Sequence, residues 1–331
     1  MARRSVPILA LCCTMAAAAE PGGLAEQVDV IPQPRQVTFA YGAFPVDDFC
    51  IVLVSQKATR GTRRAARAVQ LGLRQRLGMD APIVRISEQR GHGITRPIWV
   101  VEPRLARPPA KTIGVRGLAF TDEMKQGGYF VRVDALEAVL HGADDAGSYH
   151  AAQTFLQLIR PPRKATLFRK AAPPTIPCLW IQDWPGQPVR VIPSPFGPHE
   201  NASIGVTGSM QLIELGAHYK LNALPRGLLP PDPATRARLE GLAAWRGIRI
   251  VEQAPPSAAS PLVTALVGEA ADPLRLRVAA QAEAAWGPPD PDAETFRSRL
   301  ERDAAVFPTP RPPPPPEPKR DLLADDDDEG G

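Results

Sequence analysis

The sequence predicts an α+β domain, in which a mixed sheet carries two helices on one side, followed by an α/β region forming a partial (β/α) barrel. Two observations predict the first domain: short alternating apolar segments and two helical repeats occur before residue 160. A third observation predicts the second region, because strand and helix patterns alternate after a proline-rich stretch.

The first domain is predicted over residues 26–160. Short apolar segments indicate strands at residues 28–40, 49–54, 83–86 and 98–101. A helix is predicted over residues 59–78, because apolar side chains recur every four residues at Ala65, Val69, Leu73 and Leu77. Its arginines are interpreted as a solvated face.

A strand pair and a second helix are predicted at the end of this domain. Tyr129, Val131 and Val133 alternate with residues of the opposite face, and residues 137–141 form a returning strand. Asp144 or Asp145 is expected to cap the helix that follows, since a carboxylate there accepts the free N–H groups of the first turn. The apolar face of this helix consists of Tyr149, Ala152, Leu156 and Ile159.

A proline-rich linker is predicted over residues 161–177, before a second region over residues 178–308. Strands are expected at residues 189–192, 221–224, 248–251 and 262–266. Helices are expected over residues 209–219, from Asp232, from Asp272 and around Phe296 to Phe307. The β-α-β-α-β order implies parallel strands with helical crossovers.

Several short motifs occur in a fixed order along the chain. They are Ile31-Pro32-Gln33-Pro34, Gly128-Tyr129, Ala146-Gly147, Gln153-Thr154, Gln157-Leu158, Asp183-Trp184-Pro185, Tyr219-Lys220 with Asn222, and Ala282-Glu283 with Trp286. This order resembles the family 20 glycoside hydrolases, the β-N-acetylhexosaminidases. The resemblance implies the family's zincin-like N-terminal domain, then the first and last units of its catalytic barrel with the middle missing.

The catalytic pair of that family has no counterpart in the barrel region. A complete (β/α)₈ barrel takes about 250 residues, and residues 189–308 supply about half of that length. The family uses the substrate's acetamido oxygen as nucleophile, with an adjacent Asp-Glu pair on the fourth barrel strand. Here Asp122-Glu123 lies in the first domain and is interpreted as a solvated loop, and Asp328-Glu329 lies in the tail. No catalytic residue is therefore assigned.

Two residues are candidates for substrate binding. Arg190 matches an arginine that holds sugar hydroxyls in the family, and Glu269 lies near the start of the last barrel unit. A surface salt bridge is the alternative role for Arg190. Trp180, Trp184 and Trp245 are expected to pack in the core or between domains rather than stack on sugars. No metal or cofactor is expected, because no H-E-x-x-H or nucleotide motif is present.

Three functions remain open from the sequence. The first is a β-N-acetylhexosaminidase homologue that has lost hydrolysis of N-acetylhexosamine glycans. The second is a non-catalytic carbohydrate-binding or protein-interaction protein. The third is an enzyme with a different chemistry around His199 and Glu200.

Composition adds expectations about location and partners. Residues 1–19 resemble a signal peptide, which predicts a secreted or periplasmic protein. Residues 309–331 are interpreted as a disordered proline-rich and acidic tail. The formal charge is +4 and the basic residues are spread along the chain rather than clustered, so nucleic acid is not an expected partner. No segment after the signal peptide is long and apolar enough to be predicted as a transmembrane helix.

Two further expectations concern cysteines and assembly. Cys50 and Cys178 remain after signal removal and are expected to be separate buried thiols, although an oxidising compartment would permit one bridge. A partial barrel leaves an open parallel edge, through which a homodimer could form.

Overall fold

A mixed sheet of seven strands organises the N-terminal half of the computed structural model. Its strands are β1 Gln36–Pro45, β2 Ile51–Ser55, β3 Ile83–Ile86, β4 Pro97–Val101, β5 Tyr129–Val133, β6 Ala138–Gly142 and β7 Thr175–Asp183. They lie in the order β1-β7-β5-β6-β4-β2-β3. Pairing is parallel from β6 to β3 and antiparallel from β6 to β1, so the sheet is mixed as predicted.

The structure describes residues 28–86, 96–101, 103, 119–162, 173–194, 204–252, 272–286 and 292–306. The predicted signal peptide, the strand at 262–266 and the tail at 309–331 lie outside these ranges, as does most of the proline-rich linker.

Two helices cover one face of the large sheet. Helix α1 is Arg60–Leu77, capped by the Thr59 hydroxyl, and helix α2 is Asp145–Gln157, capped by Asp144. The Asp144 carboxylate accepts the N–H of Gly147 at 2.6 Å and the N–H of Gly127 at 3.1 Å. The cap therefore fixes the start of α2 and the approach to β5 together, and the prediction of two helices on one side is confirmed.

The start of α2 lies in direct contact with the backbone before β5. A Cβ atom on Gly147 would stand 2.1 Å from the carbonyl oxygen of Gly128. No side chain fits in that space, because carbon and oxygen atoms do not approach so closely without a bond. Gly147 is thus required by this contact, whereas a Cβ atom on Gly128 would meet the backbone of Met124, at 2.4 Å from its carbonyl oxygen.

The boundary predicted at residue 177 is wrong. Residues 161–177 were assigned to the linker and 178–183 to the barrel region, yet Thr175–Asp183 forms β7 inside the large sheet. This strand pairs with β1 on one side and β5 on the other. Ile181 and Leu179 are buried against the helices, so apolar burial retains the segment in the first domain despite its proline-rich neighbours.

The opposite face of the sheet has a buried part and an open part. Leu53, Trp99 and Val139 belong to a buried apolar cluster there. Towards β7 the same face carries Trp180, whose exposed fraction is 41%. The prediction that Trp180 packs in the core or between domains is therefore wrong.

Four helices and two short strands follow the large sheet. They are α3 Gly205–His218, β8 Ala223–Pro225, α4 Pro233–Trp245, β9 Arg249–Val251, α5 Pro273–Trp286 and α6 Ala293–Val306. Strands β8 and β9 are parallel. The strand predicted over 189–192 is reduced to one parallel bridge between Val191 and Ala223, since proline at 188 and 193 flanks it.

The molecule is a mixed α/β structure with one large sheet and six α-helices among the described residues. Val191, β8 and β9 provide a short parallel arrangement after residue 185. Extension of this arrangement into a partial (β/α) barrel remains a prediction.

Helices α5 and α6 dock against the extended segment that precedes β1. Arg299 donates from Nη1 to the carbonyl oxygen of Val30 at 3.0 Å and to the Glu283 carboxylate at 2.8 Å. Glu283 in turn accepts the N–H of Gln33 at 3.1 Å. The C-terminal helices and the first described residues are thus joined through a buried ion pair.

Cys50 and Cys178 are separate buried thiols, in agreement with the prediction. Burial raises the pKa of the Cys50 thiol to about 12 and also raises that of Cys178. Among the described helices, none is sufficiently long and apolar to cross a lipid bilayer.

Candidate functional site

Arg190 lies at the junction between the large sheet and the following region. Its side chain is 3% exposed. Nε donates to the carbonyl of Lys220 at 2.9 Å, and Nη1 donates to the carbonyl of Gln187 at 2.9 Å. Nη2 lies 3.4 Å from His150 Nε2, and the guanidinium stacks over the Trp286 ring at 4.7 Å. Each guanidinium nitrogen therefore has a protein partner.

The tautomer of His150 follows from its two neighbours. Nδ1 lies 3.0 Å from the carbonyl oxygen of Gly127, which can only accept, so Nδ1 carries the proton. Nε2 is then free to accept from Arg190. Burial, reinforced by the charge of Arg190, holds the pKa of His150 well below its usual value. A neutral His150 is what this arrangement requires.

The ammonium group of Lys220 also faces the ring of Trp286. Its ammonium donates to the Tyr129 hydroxyl at 2.7 Å and lies 3.6 Å from the Asp183 carboxylate. The rings of Tyr129 and Trp286 are 5.1 and 5.0 Å from Nζ, within the range of cation–π attraction. Burial lowers the pKa of Lys220 to about 8, and Asp183 and Glu283 oppose that change.

Asp183 is the acceptor at the centre of the junction. It accepts from the Tyr129 hydroxyl at 2.6 Å, from Trp286 Nε1 at 2.7 Å and from the N–H of Arg35 at 3.2 Å. Burial raises the pKa of the carboxyl, while Lys220 and these donors lower it. Asp183 and five neighbouring side chains form the Arg190 cluster: Arg190, His150, Trp286, Lys220, Tyr129 and Asp183.

A second buried group, the Asp303 cluster, joins α1, α3, α5 and α6. The Asp303 carboxylate lies 2.9 Å from His218 Nε2, accepts from the Tyr219 hydroxyl at 2.7 Å and accepts from Arg275 at 3.3 Å. Arg76 Nη2 lies 3.5 Å from His218 Nδ1. Burial opposes ionisation of Asp303, but His218 and Tyr219 hold its pKa below the usual value.

Both clusters are suited to holding helices and strands together. Their cations and carboxylates are buried and satisfied mainly by other protein groups. Such groups position structure and are costly to separate. Neither cluster presents two carboxylates beside an open cleft, the arrangement that most glycoside hydrolases use.

The other residues singled out by the sequence lie elsewhere. Glu269, His199 and Glu200 lie outside the described residues. Asp122 and Glu123 occupy an exposed 3-10 turn, where Asp122 pairs with Lys125 at 2.5 Å. Their interpretation as a solvated segment is confirmed.

Trp184 and Trp245 pack against arginines, and no metal-binding group of side chains occurs among the described residues. Trp184 and Trp245 are half-buried, and each lies against an arginine, at 5.1 Å from Arg35 and 4.6 Å from Arg246. In the described part of the chain, no three metal-ligating side chains come together.

Sequence reasoning identified the motifs of the Arg190 cluster but not its contacts. Asp183, Lys220 and Trp286 were each part of a quoted motif, yet they lie far apart in sequence. His150 was not assigned a role. A buried strand that ends in aspartate, together with a lysine directly after an apolar helix, was the available signal for a buried ion pair.

Comparison with protein families agrees with this architecture. Residues 27–184 match the family model described as "Glycosyl hydrolase family 20, domain 2". Residues 27–184 are therefore similar to domain 2 of the family 20 glycoside hydrolases. The matched segment ends at Trp184, directly after β7, which agrees with the placement of that strand in the first domain. No curated protein matches the sequence.

Several solved structures resemble this chain over part of their length. They include an exo-β-N-acetylglucosaminidase from Vibrio harveyi, with 15% identity, TM-score 0.45, and coverage of 70% of this chain and 36% of that one. A Flavobacterium johnsoniae chitobiase has 16% identity, TM-score 0.48, and coverage of 72% and 36%. An N-acetyl-β-hexosaminidase from Streptomyces plicatus has 18% identity, TM-score 0.47, and coverage of 72% and 48%. The chain spans less than half the length of each.

Proposed function

We propose that this protein is a β-N-acetylhexosaminidase homologue that does not hydrolyse N-acetylhexosaminides. The observation that carries the proposal is the closure of the site around Arg190. All three guanidinium nitrogens face protein partners, and the ring of Trp286 covers the cation. The side chain is 3% exposed, so a sugar hydroxyl could reach this arginine only after the surrounding groups had moved.

The distribution of Asp-Glu pairs supports the same proposal. Hydrolysis in the family requires an aspartate that orients the acetamido group and a glutamate that protonates the leaving oxygen, both beside the scissile bond. Within this sequence the pair occurs only at Asp122-Glu123 and Asp328-Glu329. The first pair is on an exposed turn of the N-terminal domain.

The direct test is turnover of p-nitrophenyl N-acetyl-β-glucosaminide by the purified chain, with an active family 20 enzyme as positive control. We expect no release of nitrophenol above the buffer rate. Release that rises in proportion to chain concentration and persists through a second purification step would overturn the proposal.

A double variant, Asp122→Asn with Glu123→Gln, serves as the matched control for any activity found. Both side chains are exposed, so the substitutions leave the fold intact. Activity lost in this variant would locate catalysis in the N-terminal domain, and activity retained would point to other residues.

We also propose that Glu269 contacts the substrate, that residues 1–19 direct secretion, and that a homodimer forms through an open parallel edge. Light scattering of the purified chain tests the last of these, because a monomer at high concentration contradicts a dimer.

A further inference from the structure

Trp180 lies at the centre of a small grid of side chains on the open face of the large sheet. It is directly opposite Thr38 of β1 and Arg132 of β5. The next row on the same face contains Gln182, which is opposite Gln36 of β1 and Phe130 of β5. Side chains so placed are neighbours, since directly opposed residues have Cβ atoms about 5 Å apart.

The indole of Trp180 is supported on one side and open on the other. The Phe130 ring lies 6.4 Å from it, and Phe120 lies 4.9 Å from Phe130, which together form an aromatic row across the sheet. Phe130 is buried, whereas Trp180 is 41% exposed. Strand β7 pairs with β1 on one side and β5 on the other, so the ring is held on a rigid strand rather than on a loop.

The surroundings of Trp180 are polar rather than apolar. Gln36 and Thr38 are exposed, and Gln182 and Arg132 are half-buried. Gln36 offers an amide, Thr38 a hydroxyl and Arg132 a guanidinium within one side-chain length of the ring. Gln182 donates from Nε2 to the Met124 sulfur at 3.1 Å, so it offers mainly its amide oxygen. An interface with another protein core would instead surround the tryptophan with apolar side chains.

These features match the chemistry of a sugar. A pyranose has an apolar face of C–H bonds, which packs on an indole, and a rim of hydroxyls, which bind amides and guanidinium groups. In β-1,4-linked gluco-configured sugars all ring substituents are equatorial, so successive rings are flat. We propose that the grid of Trp180, Thr38, Arg132, Gln36 and Gln182 binds a β-1,4-linked gluco-configured oligosaccharide.

This inference deepens the proposed function by naming a glycan surface in the N-terminal domain. It does not use the Arg190 cluster or any residue of the barrel region. Its test measures binding, whereas the test of the proposed function measures turnover. A failure of one therefore leaves the other result standing.

The experiment is titration calorimetry of the full chain with chitohexaose and cellohexaose, and with maltohexaose as the curved, α-linked control. We expect binding of at least one β-linked hexamer, and binding of maltohexaose weaker by about tenfold. Trp180→Ala should weaken β-linked binding by about tenfold or more, because truncation of a central aromatic anchor removes much of the binding energy. Gln182→Ala should weaken it several-fold.

Leu136→Ala is the matched control, since Leu136 is also exposed, at 69%, but lies in the turn between β5 and β6. It should bind as the unmodified chain does, and Trp180→Phe should retain part of the affinity. No binding of either β-linked hexamer overturns the inference. Unchanged binding of the β-linked hexamers by Trp180→Ala also overturns it. The same holds if Trp180→Ala alters only the self-association of the chain, measured by sedimentation, and not its affinity for sugar.

Discussion

Lys220 is placed in an environment that is unfavourable in two ways. Its backbone has a φ of +63°, in the left-handed region that non-glycine residues rarely adopt. Its ammonium is fully buried, which costs solvation energy unless a partner compensates. Asp183, Tyr129 and two aromatic rings supply part of that compensation, while burial still lowers the pKa of the ammonium to about 8. Lys220 and Asp183 are therefore expected to be strongly coupled in stability.

Lys220→Met should destabilise the protein by about 3–5 kcal/mol, because it leaves the Asp183 carboxylate buried without its cation. Urea unfolding followed by circular dichroism measures the change. Lys57→Met, at an exposed lysine, is the control and should change stability by less than about 0.5 kcal/mol.

Coupling is tested by adding Asp183→Asn to Lys220→Met. The double variant should be more stable than Lys220→Met alone by about 2 kcal/mol, because the unpaired charge is removed. Additive losses in the two single variants would show that the ion pair contributes nothing beyond packing.

The pH dependence of stability should carry the signature of Lys220. Burial lowers its pKa to about 8 in the folded chain, against about 10.4 in the unfolded chain. Between these values the unfolded chain holds a proton that the folded chain lacks, so stability rises with pH. The free energy of unfolding should rise by about 2 kcal/mol from pH 8 to pH 10. This is less than the full slope of about 1.4 kcal/mol per pH unit, because the folded lysine is already half deprotonated at pH 8.

Buried thiols oppose this trend, so the comparison requires a reference variant. The pKa of Cys50 is raised to about 12, which makes stability fall as pH passes the ordinary thiol value of about 8.5. The variant Lys220→Met with Asp183→Asn retains both thiols. The difference in unfolding free energy between the unmodified chain and this variant should grow from pH 8 to pH 10, and a constant difference would contradict the assignment.

At the scale of elements, the contact between α2 and the start of β5 depends on glycine. Gly147 is in the first turn of α2, and a Cβ atom there would meet the Gly128 carbonyl, part of the rigid backbone. Gly241, in the middle of α4, has open space around it. The close contact therefore requires glycine at position 147, whereas position 241 has room for a larger side chain.

Gly147→Ala should destabilise the protein by about 2–3 kcal/mol, because α2 must move away from Gly128. Gly241→Ala should stabilise it by about 0.5–1 kcal/mol, since alanine is the better helix former. Thermal unfolding of the two variants measures both effects. Equal shifts of the same sign would contradict the close contact.

Elements were predictable from the sequence where local signals agreed. The apolar repeat of α1, the cap and apolar face of α2, and the start signal at Asp232 predicted these helices within a few residues. Strand β7 was misassigned because its partners are distant. Gln182 pairs with Gln36 and Phe130, and no local pattern in a proline-rich region shows which sheet a strand joins.

At the scale of the whole molecule, the family resemblance predicted the architecture better than the site. The motifs predicted the order of the elements and the similarity of residues 27–184 to the family 20 domain. They did not show that Arg190 is enclosed by His150, Lys220 and Trp286. Such enclosure depends on how α2, α3 and α5 meet, which is a property of tertiary packing rather than of sequence spacing.

The attachment of α6 to Val30 has a consequence for synthesis of the chain. The bond from Arg299 to the Val30 carbonyl joins residues 269 positions apart. While a ribosome is still translating the residues between them, the segment before β1 has no partner for this carbonyl, and Glu283 is absent from Gln33. The N-terminal domain must therefore wait for α6 before this contact can form, so it forms slowly relative to local helix formation.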